Sequence, residues 1–410
     1  MHLVKTVLSL FFILVCLLTV FNSVNAADFT VNKDTSLQNI NSWIKDNSTL
    51  KGDNLIFNTS SYNLGDTLII TKSINIKSDI KTQINYNGNR EMFNIATEQV
   101  NFSGLILNHN GVGSSTKYVN CIYSGSPYKL INIDSTIINL NNDYAIAISI
   151  SEWKGNLNNS IINGKGNYNF GIVSSRWDGS VFNSSISLNK KNSIGISIGI
   201  TWKGNFENSK IHTKGVKSGG ILSNYWIGNS INSFIINGAS NSVGIYLEKW
   251  NGNIIKTNIH SNSANSKGFH AFYSKGTIHG SNIQAKKGNA IIISKNVKVS
   301  RTYAVSKKGK PKIYIFGPRL EVSKVKKKKG DYQVQIFNAG ELTSKPAKIL
   351  VYTRSYKRYV KIPSLGPKQS SRTKVSILNK YSNLKYTKYV LIYYKDIFGK
   401  KSISKTFKFR

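Results

Sequence analysis

Tryptophan recurs at Trp153, Trp177, Trp202, Trp226 and Trp250, at spacings of 24 or 25 residues, and this period constrains the fold more than any other feature of the chain. Each indole is followed two residues later by glycine: Gly155, Gly179, Gly204, Gly228 and Gly252. Ser274 with Gly276 continues the series. Seven residues past each tryptophan (or Ser274) stand Ser160, Ser184, Ser209, Ser233, Thr257 and Ser281, and nine past stand Ile162, Ile186, Ile211, Ile235, Ile259 and Ile283. A second slot pairs a small residue with an apolar one, as in Gly171-Ile172, Gly195-Ile196, Gly220-Ile221, Gly244-Ile245 and Gly268-Phe269. Short alternating segments between glycine and asparagine corners, without a helical period, read as strands. A period near 24 with several strands per repeat fits one coil of a solenoid and is too short for a propeller blade. Equivalent positions then stack about 4.8 Å apart, the spacing between paired strands. The isoleucines form an internal ladder, and Asn159, Asn183, Asn208 and Asn232 form another at a corner, where asparagine tolerates positive φ.

The expected fold class is all-β: a right-handed parallel β-helix of roughly ten coils, about 48 Å of stack at that rise, followed by an immunoglobulin-like β-sandwich. The boundaries are 1–26 signal peptide, 27–53 N-terminal cap, 54–305 β-helix, 306–318 linker and 319–410 second domain. Residues 1–26 hold Lys5, an apolar run from Val7 to Val20, and small residues before Ala27, the pattern of a cleaved secretory signal. No later run approaches 18 apolar residues, so no transmembrane anchor is expected after the signal is removed. In the cap, Asp34 or Thr35 starts a helix with Leu37, Ile40 and Ile44 on its apolar face. Removal of the signal leaves Cys121 as the one cysteine, which excludes an intrachain disulfide framework. The repeat places Cys121 in the small buried slot. A longer insert, His109 to Tyr118, interrupts the period and forms a loop on one face, where binding sites tend to lie.

The formal net charge is +38. Residues 306–410 carry 28 Lys and Arg against Glu321, Asp331, Glu341 and Asp396, a net +24. Such a field attracts polyanions. In an exported chain these are a cell-wall polymer or acidic glycan, with no nucleic acid expected. About seven β runs follow Arg319, separated by turn signals such as Gly330-Asp331 and Phe398-Gly399, which suggests the sandwich. The run Lys326, Lys327, Lys328, Lys329 reads as a charged hairpin turn that discourages edge pairing, and is the candidate polyanion contact.

Within that region, Val334-Gln335-Ile336-Phe337-Asn338-Ala339-Gly340, then Ser344-Lys345-Pro346-Ala347, then Ile362-Pro363-Ser364-Leu365-Gly366-Pro367 resembles the CARDB type of adhesion-related domain. The corner departs from its usual Leu-x-Pro-Gly and reads Leu-Gly-Pro-Lys. With the Asn- and Ile-rich coils and the N-terminal cap, nearly the whole mature chain resembles the adhesin-like proteins of methanogenic archaea. The resemblance implies a surface location and architecture, and carries no catalytic residues.

Parallel β-helices also host polysaccharide lyases and hydrolases, which need paired or metal-gathering carboxylates. The regular coils hold only Asp178, Glu207 and Glu248, with Glu152 and Asp143 just before. Glu152 and Asp178 fall on adjacent coils, with Arg176 stacked over Glu152 and Lys154 and Lys203 flanking Asp178. This reads as an alternating ion lattice worth about 0–1 kcal/mol per pair. His212 and His260 lie two coils apart, too far for one metal, and His270 and His279 lack companions. No cofactor and no metal are expected. The five indoles have two roles open to them: a platform for sugar rings, or a stack that shields a corner. Asn47, Asn58, Asn101, Asn158 and Asn183 head N-glycosylation sequences. The expectation for function is a secreted or cell-surface adhesin-like protein without catalysis. The alternative is a β-helix lyase or glycoside hydrolase.

Overall fold

In a computed structural model, the described residues are 27–307 apart from Asn47, Asn262 and Lys295, then 313–315, 320–328, 331–338, 344, 346–353, 356–376, 388–396 and 399–407. Residues 1–26, where the signal is expected, and Lys329 lie outside them. The chain is all-β, with 3% helix, and is built on a parallel β-solenoid of about 12 turns. Among the described residues no helix is long and apolar enough to cross a membrane. Contacts divide the chain into two compact units, Met1–Leu222 with Ser233–Asn237, and Ser223–Asn232 with Gly238–Arg410.

In the first unit each regular coil has a long strand, a two-residue strand and a four-residue return strand, for example Ala145–Lys154, Leu157–Asn158 and Ile161–Gly164. Register joins like to like. Trp153 pairs with Trp177 and Trp177 with Trp202, while Ile138, Ile162, Ile186, Ile211 and Ile235 follow one another on the return strands. These isoleucines are fully buried, each stabilising the interior by about 1.5–3 kcal/mol. The single spacing of 25 is a bulge: Ser174 pairs with Ile198 but Arg176 with Thr201. In the second unit, Val243–Ile255 pairs with Ala264–His279 over eleven register partners, and Ile259 pairs with Ile283.

Two hydroxyl ladders close the bends. The Ser160 amide donates to Ser184 Oγ (3.0 Å), the Ser184 amide to Ser209 Oγ (3.0 Å) and the Ser209 amide to Ser233 Oγ (3.2 Å). The hydroxyls of Ser160, Ser184 and Ser209 in turn donate to the carbonyl two residues back, as Ser184 does to Phe182 (2.8 Å). A second ladder escaped the sequence: the Ala145 amide donates to Asn169 Oδ1, Asn169 to Ser193 Oγ and Ser193 to Ser218 Oγ. Both supply acceptors to buried amides that the strands leave unpaired. The expected corner asparagines have positive φ, 47° to 49° at Asn159, Asn183, Asn208 and Asn232. Asn183 Nδ2 donates to Asn159 Oδ1 at 2.8 Å.

The cap differs from expectation in detail. The helix is Leu37–Lys45 and its cap is Ser36, whose hydroxyl accepts from the Asn39 amide; Thr35 Oγ1 instead accepts from Asn32. The parallel stack begins before residue 54, because Asp28–Val31 pairs with Asn54–Phe57. It also runs into the expected linker, where the apolar Ile313–Ile315 adds a parallel rung to Ile291–Ile293.

The C-terminal strands are antiparallel. Leu320–Lys328, Asp331–Asn338 and Ser370–Ser376 form one sheet; Tyr356–Ile362, Ala347–Thr353, Lys388–Asp396 and Gly399–Phe407 form the other. Lys326, Lys327 and Lys328 correct the turn expectation: they lie in the strand, opposite Gln333, Tyr332 and Asp331, because the antiparallel pairing extends as far as Lys328. Asn338 Nδ2 donates to the Leu365 carbonyl (2.9 Å), and the Leu365 amide to Ser344 Oγ (3.1 Å). These contacts join the segments that carry Asn338, Ser344 and Leu365.

Candidate binding site

The tryptophans are buried rather than presented as a surface. Trp153, Trp177, Trp202, Trp226 and Trp250 are each 0–1% exposed. In the first unit, Trp153 and Trp177 lie 4.5 Å apart at 1°, and Trp177 and Trp202 5.0 Å apart at 2°. The Trp-x-Gly spacing has a mechanical reason. Trp177 Nε1 donates to the Gly155 carbonyl (2.9 Å), Trp202 Nε1 to Gly179 (2.8 Å) and, in the second unit, Trp250 Nε1 to Gly228 (3.3 Å). A Cβ on Gly179 or Gly204 would overlap the glycine carbonyl of the preceding coil. Glycine thus allows the approach that gives the Trp177, Trp202 and Trp250 N–H groups their acceptors, while Trp153 Nε1 donates to the Ile131 carbonyl (2.7 Å). With no ring face open to solvent, the sugar-platform role is corrected in favour of shielding.

Over the indole edge lies a small cleft of about 130 Å³, lined by Tyr128, Glu152, Trp153, Lys154, Arg176, Trp177, Asp178, Thr201 and Lys203. The ion lattice read from the sequence is here. Glu152 pairs in register with Arg176, and Asp178 with Lys154 on one side and Lys203 on the other. Arg176 Nη1 meets Glu152 Oε1 at 2.6 Å. The bulge sets Thr201 level with Arg176, and bulges commonly re-aim side chains beside sites. Three cations against two acids leave the rim net positive.

Tyr128 is the member of this cleft that sequence reasoning missed. It follows Gly125-Ser126-Pro127 in an irregular coil, with no counterpart in the repeat to mark it. Its backbone has φ 59° and the residue is 60% exposed. Lys154 Nζ lies over that ring, 5.1 Å from its centroid, a contact worth about 0.5–1 kcal/mol at an exposed site. The site thus offers an aromatic wall, an apolar floor and a cationic rim.

The other expected candidates do not join it. His212 lies in register between Ser187 and Ile236, and His260 beside Gln284. Among the described residues no three His, Cys, Asp or Glu side chains are grouped to hold a metal. His109 is buried, with Nε2 donating to the Arg90 carbonyl (2.9 Å) and Nδ1 accepting from the Gly111 amide (3.2 Å); burial lowers its pKa. It therefore serves as a neutral clamp at the start of the insert. Cys121 is buried, its Sγ 3.6 Å from Met92 Sδ, and burial pushes the thiol pKa up. Comparison with protein-family models, curated proteins and solved structures gave no match.

Proposed function

We propose that the chain is a secreted or cell-surface adhesin-like protein that binds an acidic glycan or anionic wall polymer without transforming it. The observation that carries this reading is the cleft over the tryptophan edge. Its Tyr128 wall suits the C–H face of a sugar ring, while Lys154, Arg176 and Lys203 suit a carboxylate or sulfate. The excess of base in residues 306–410 adds a long-range attraction for the same class of ligand. The leader-like residues 1–26 and the CARDB-like patterns favour display outside the cell. Against the lyase or hydrolase alternative, Glu152 is engaged by Arg176 and Asp178 sits between two lysines, an arrangement suited to holding charge rather than moving protons.

Polygalacturonate serves as the probe. Binding to the full chain should weaken by about tenfold in a Lys154→Ala, Lys203→Ala double variant, the loss of two partly exposed charge contacts. It should also fall steeply with salt. Binding that ignores both changes would remove the cleft from consideration, and release of unsaturated or reducing ends from the polymer would overturn the non-catalytic reading.

A further inference from the structure

At the opposite end of the long strands, up to about 26 Å from the cleft for eight extended residues, a second aromatic group lies half-buried at the surface. Tyr144 and Tyr168 occupy the corner before Ala145–Lys154 and Phe170–Asp178 and recur at 24 residues, a signal of the same kind as the tryptophans. Both have positive φ, 54° and 56°. Their rings are parallel, 4.6 Å apart at 5°. Tyr118, from the end of the insert, meets Tyr144 edge-on at 5.7 Å and Phe170 at 5.5 Å. All four are half-buried.

The surroundings are rigid and polar without a free charge over the rings. The insert is anchored by the Val112 amide to Asn89 Oδ1 (2.9 Å) and the Gly113 amide to the Asp143 carbonyl (3.2 Å). Asp143 is occupied as well, its carboxylate accepting from the Asn167 amide (2.7 Å) and Asn167 Nδ2 (2.9 Å). Among the described residues no lysine or arginine lies over these four rings, in contrast to Lys154 over Tyr128. Asn120 is in register with Ile146, which is in register with Phe170. It is 7% exposed, and its Oδ1 has no hydrogen-bond partner. A buried amide oxygen without a donor costs about 1–3 kcal/mol. Burial, together with the Tyr144 and Tyr168 phenols nearby, raises the Tyr118 pKa, so its hydroxyl remains a donor at neutral pH.

We propose that Tyr118, Tyr144, Tyr168 and Phe170 form a binding site for a neutral, β-linked hexopyranose oligosaccharide, separate from the charged cleft. Half-exposed aromatic rings pack on the apolar C–H faces of pyranoses, and three clustered phenols supply donors and acceptors for ring hydroxyls. The corner series continues with Asn192 and Lys217, so the aromatic stretch is two rings long and ends among groups able to bond further sugar hydroxyls.

Cellohexaose and hexa-N-acetylchitohexaose are titrated calorimetrically into the full chain, with polygalacturonate binding measured on the same sample. At least one of the neutral oligosaccharides should bind. Tyr168→Ala should weaken it about fivefold to tenfold, the equivalent of one aromatic contact, and Tyr168→Phe should weaken it less. Polygalacturonate binding and the near-ultraviolet signal of the tryptophan stack should be unchanged in both variants. Two results would overturn the proposal: no binding of either oligosaccharide by the wild-type chain, or full binding by Tyr168→Ala. Either would leave the rings as a clamp on the insert. Loss of polygalacturonate binding alone counts against the cleft and not against this site.

Discussion

Replacing Trp177 with alanine removes the middle ring of a three-indole stack, and its cost follows from three contacts. The side chain is 1% exposed, and large-to-small substitution of a buried aromatic costs about 3–5 kcal/mol. Stacking against Trp153 and Trp202 at 4.5 and 5.0 Å adds about 0.5–1.5 kcal/mol per pair, partly counted already in the burial figure. The Gly155 carbonyl also loses its indole donor, at about 1–3 kcal/mol if nothing replaces it. These overlap, so about 5 kcal/mol is expected. Trp177→Phe keeps an aromatic ring but loses the hydrogen bond, and should cost about 1–3 kcal/mol. Because solenoid coils depend mainly on their neighbours, the loss should be local. The assay is native-state hydrogen exchange read by mass spectrometry on peptides covering 145–213. Alanine should accelerate exchange there by between three and four orders of magnitude, about 5 kcal/mol at about 1.4 kcal/mol per tenfold, and phenylalanine by about one to two. Protection within tenfold of wild type in the alanine variant, or equal losses in the two variants, would refute the assignment of the tryptophans to packing.

His270 is buried beneath the second unit's surface, and burial followed by the charge of Lys267 pushes its pKa down to about 3 from an ordinary 6.5. Between those values the unfolded chain binds the proton and the fold does not, so this residue's contribution to stability is complete above pH 6.5 and declines as the pH falls towards 3. Relative to His270→Phe, wild type should therefore lose about 2 kcal/mol of unfolding free energy from pH 7 to pH 5; parallel pH dependences in denaturant melts would contradict this. Cys121, buried and with its thiol pKa raised, should resist maleimide in the native chain and label within minutes in denaturant. Rapid native labelling would show that its slot opens.

The repeat was legible because a solenoid writes its geometry in the chain. Residues that must lie above one another must recur at the length of a coil, so the isoleucine ladder, the corner asparagines and the burial of Cys121 could be read directly. The lattice of Glu152, Arg176, Asp178, Lys154 and Lys203 followed from the same phase, and register confirms each neighbour. Its limits have physical causes. Phase says which residues share an edge but not whether that edge faces water, so the indoles remained ambiguous until all five were found buried, with those of Trp177 and Trp202 donating to the glycine carbonyls of the preceding coil. Tyr128 lies in a coil without a repeat, and Tyr118 enters from an insert of different length; only folding brings them beside Lys154 and Tyr144.

What the sequence determined by itself was therefore the parallel stack and which side chains share each ladder, since a fixed period leaves no other way to pair like with like. What only the tertiary structure decided was which ladders are sealed and which rings stay open. That choice depends on how the backbone turns at each corner and on what the irregular segments lay over it, and neither is encoded in a spacing.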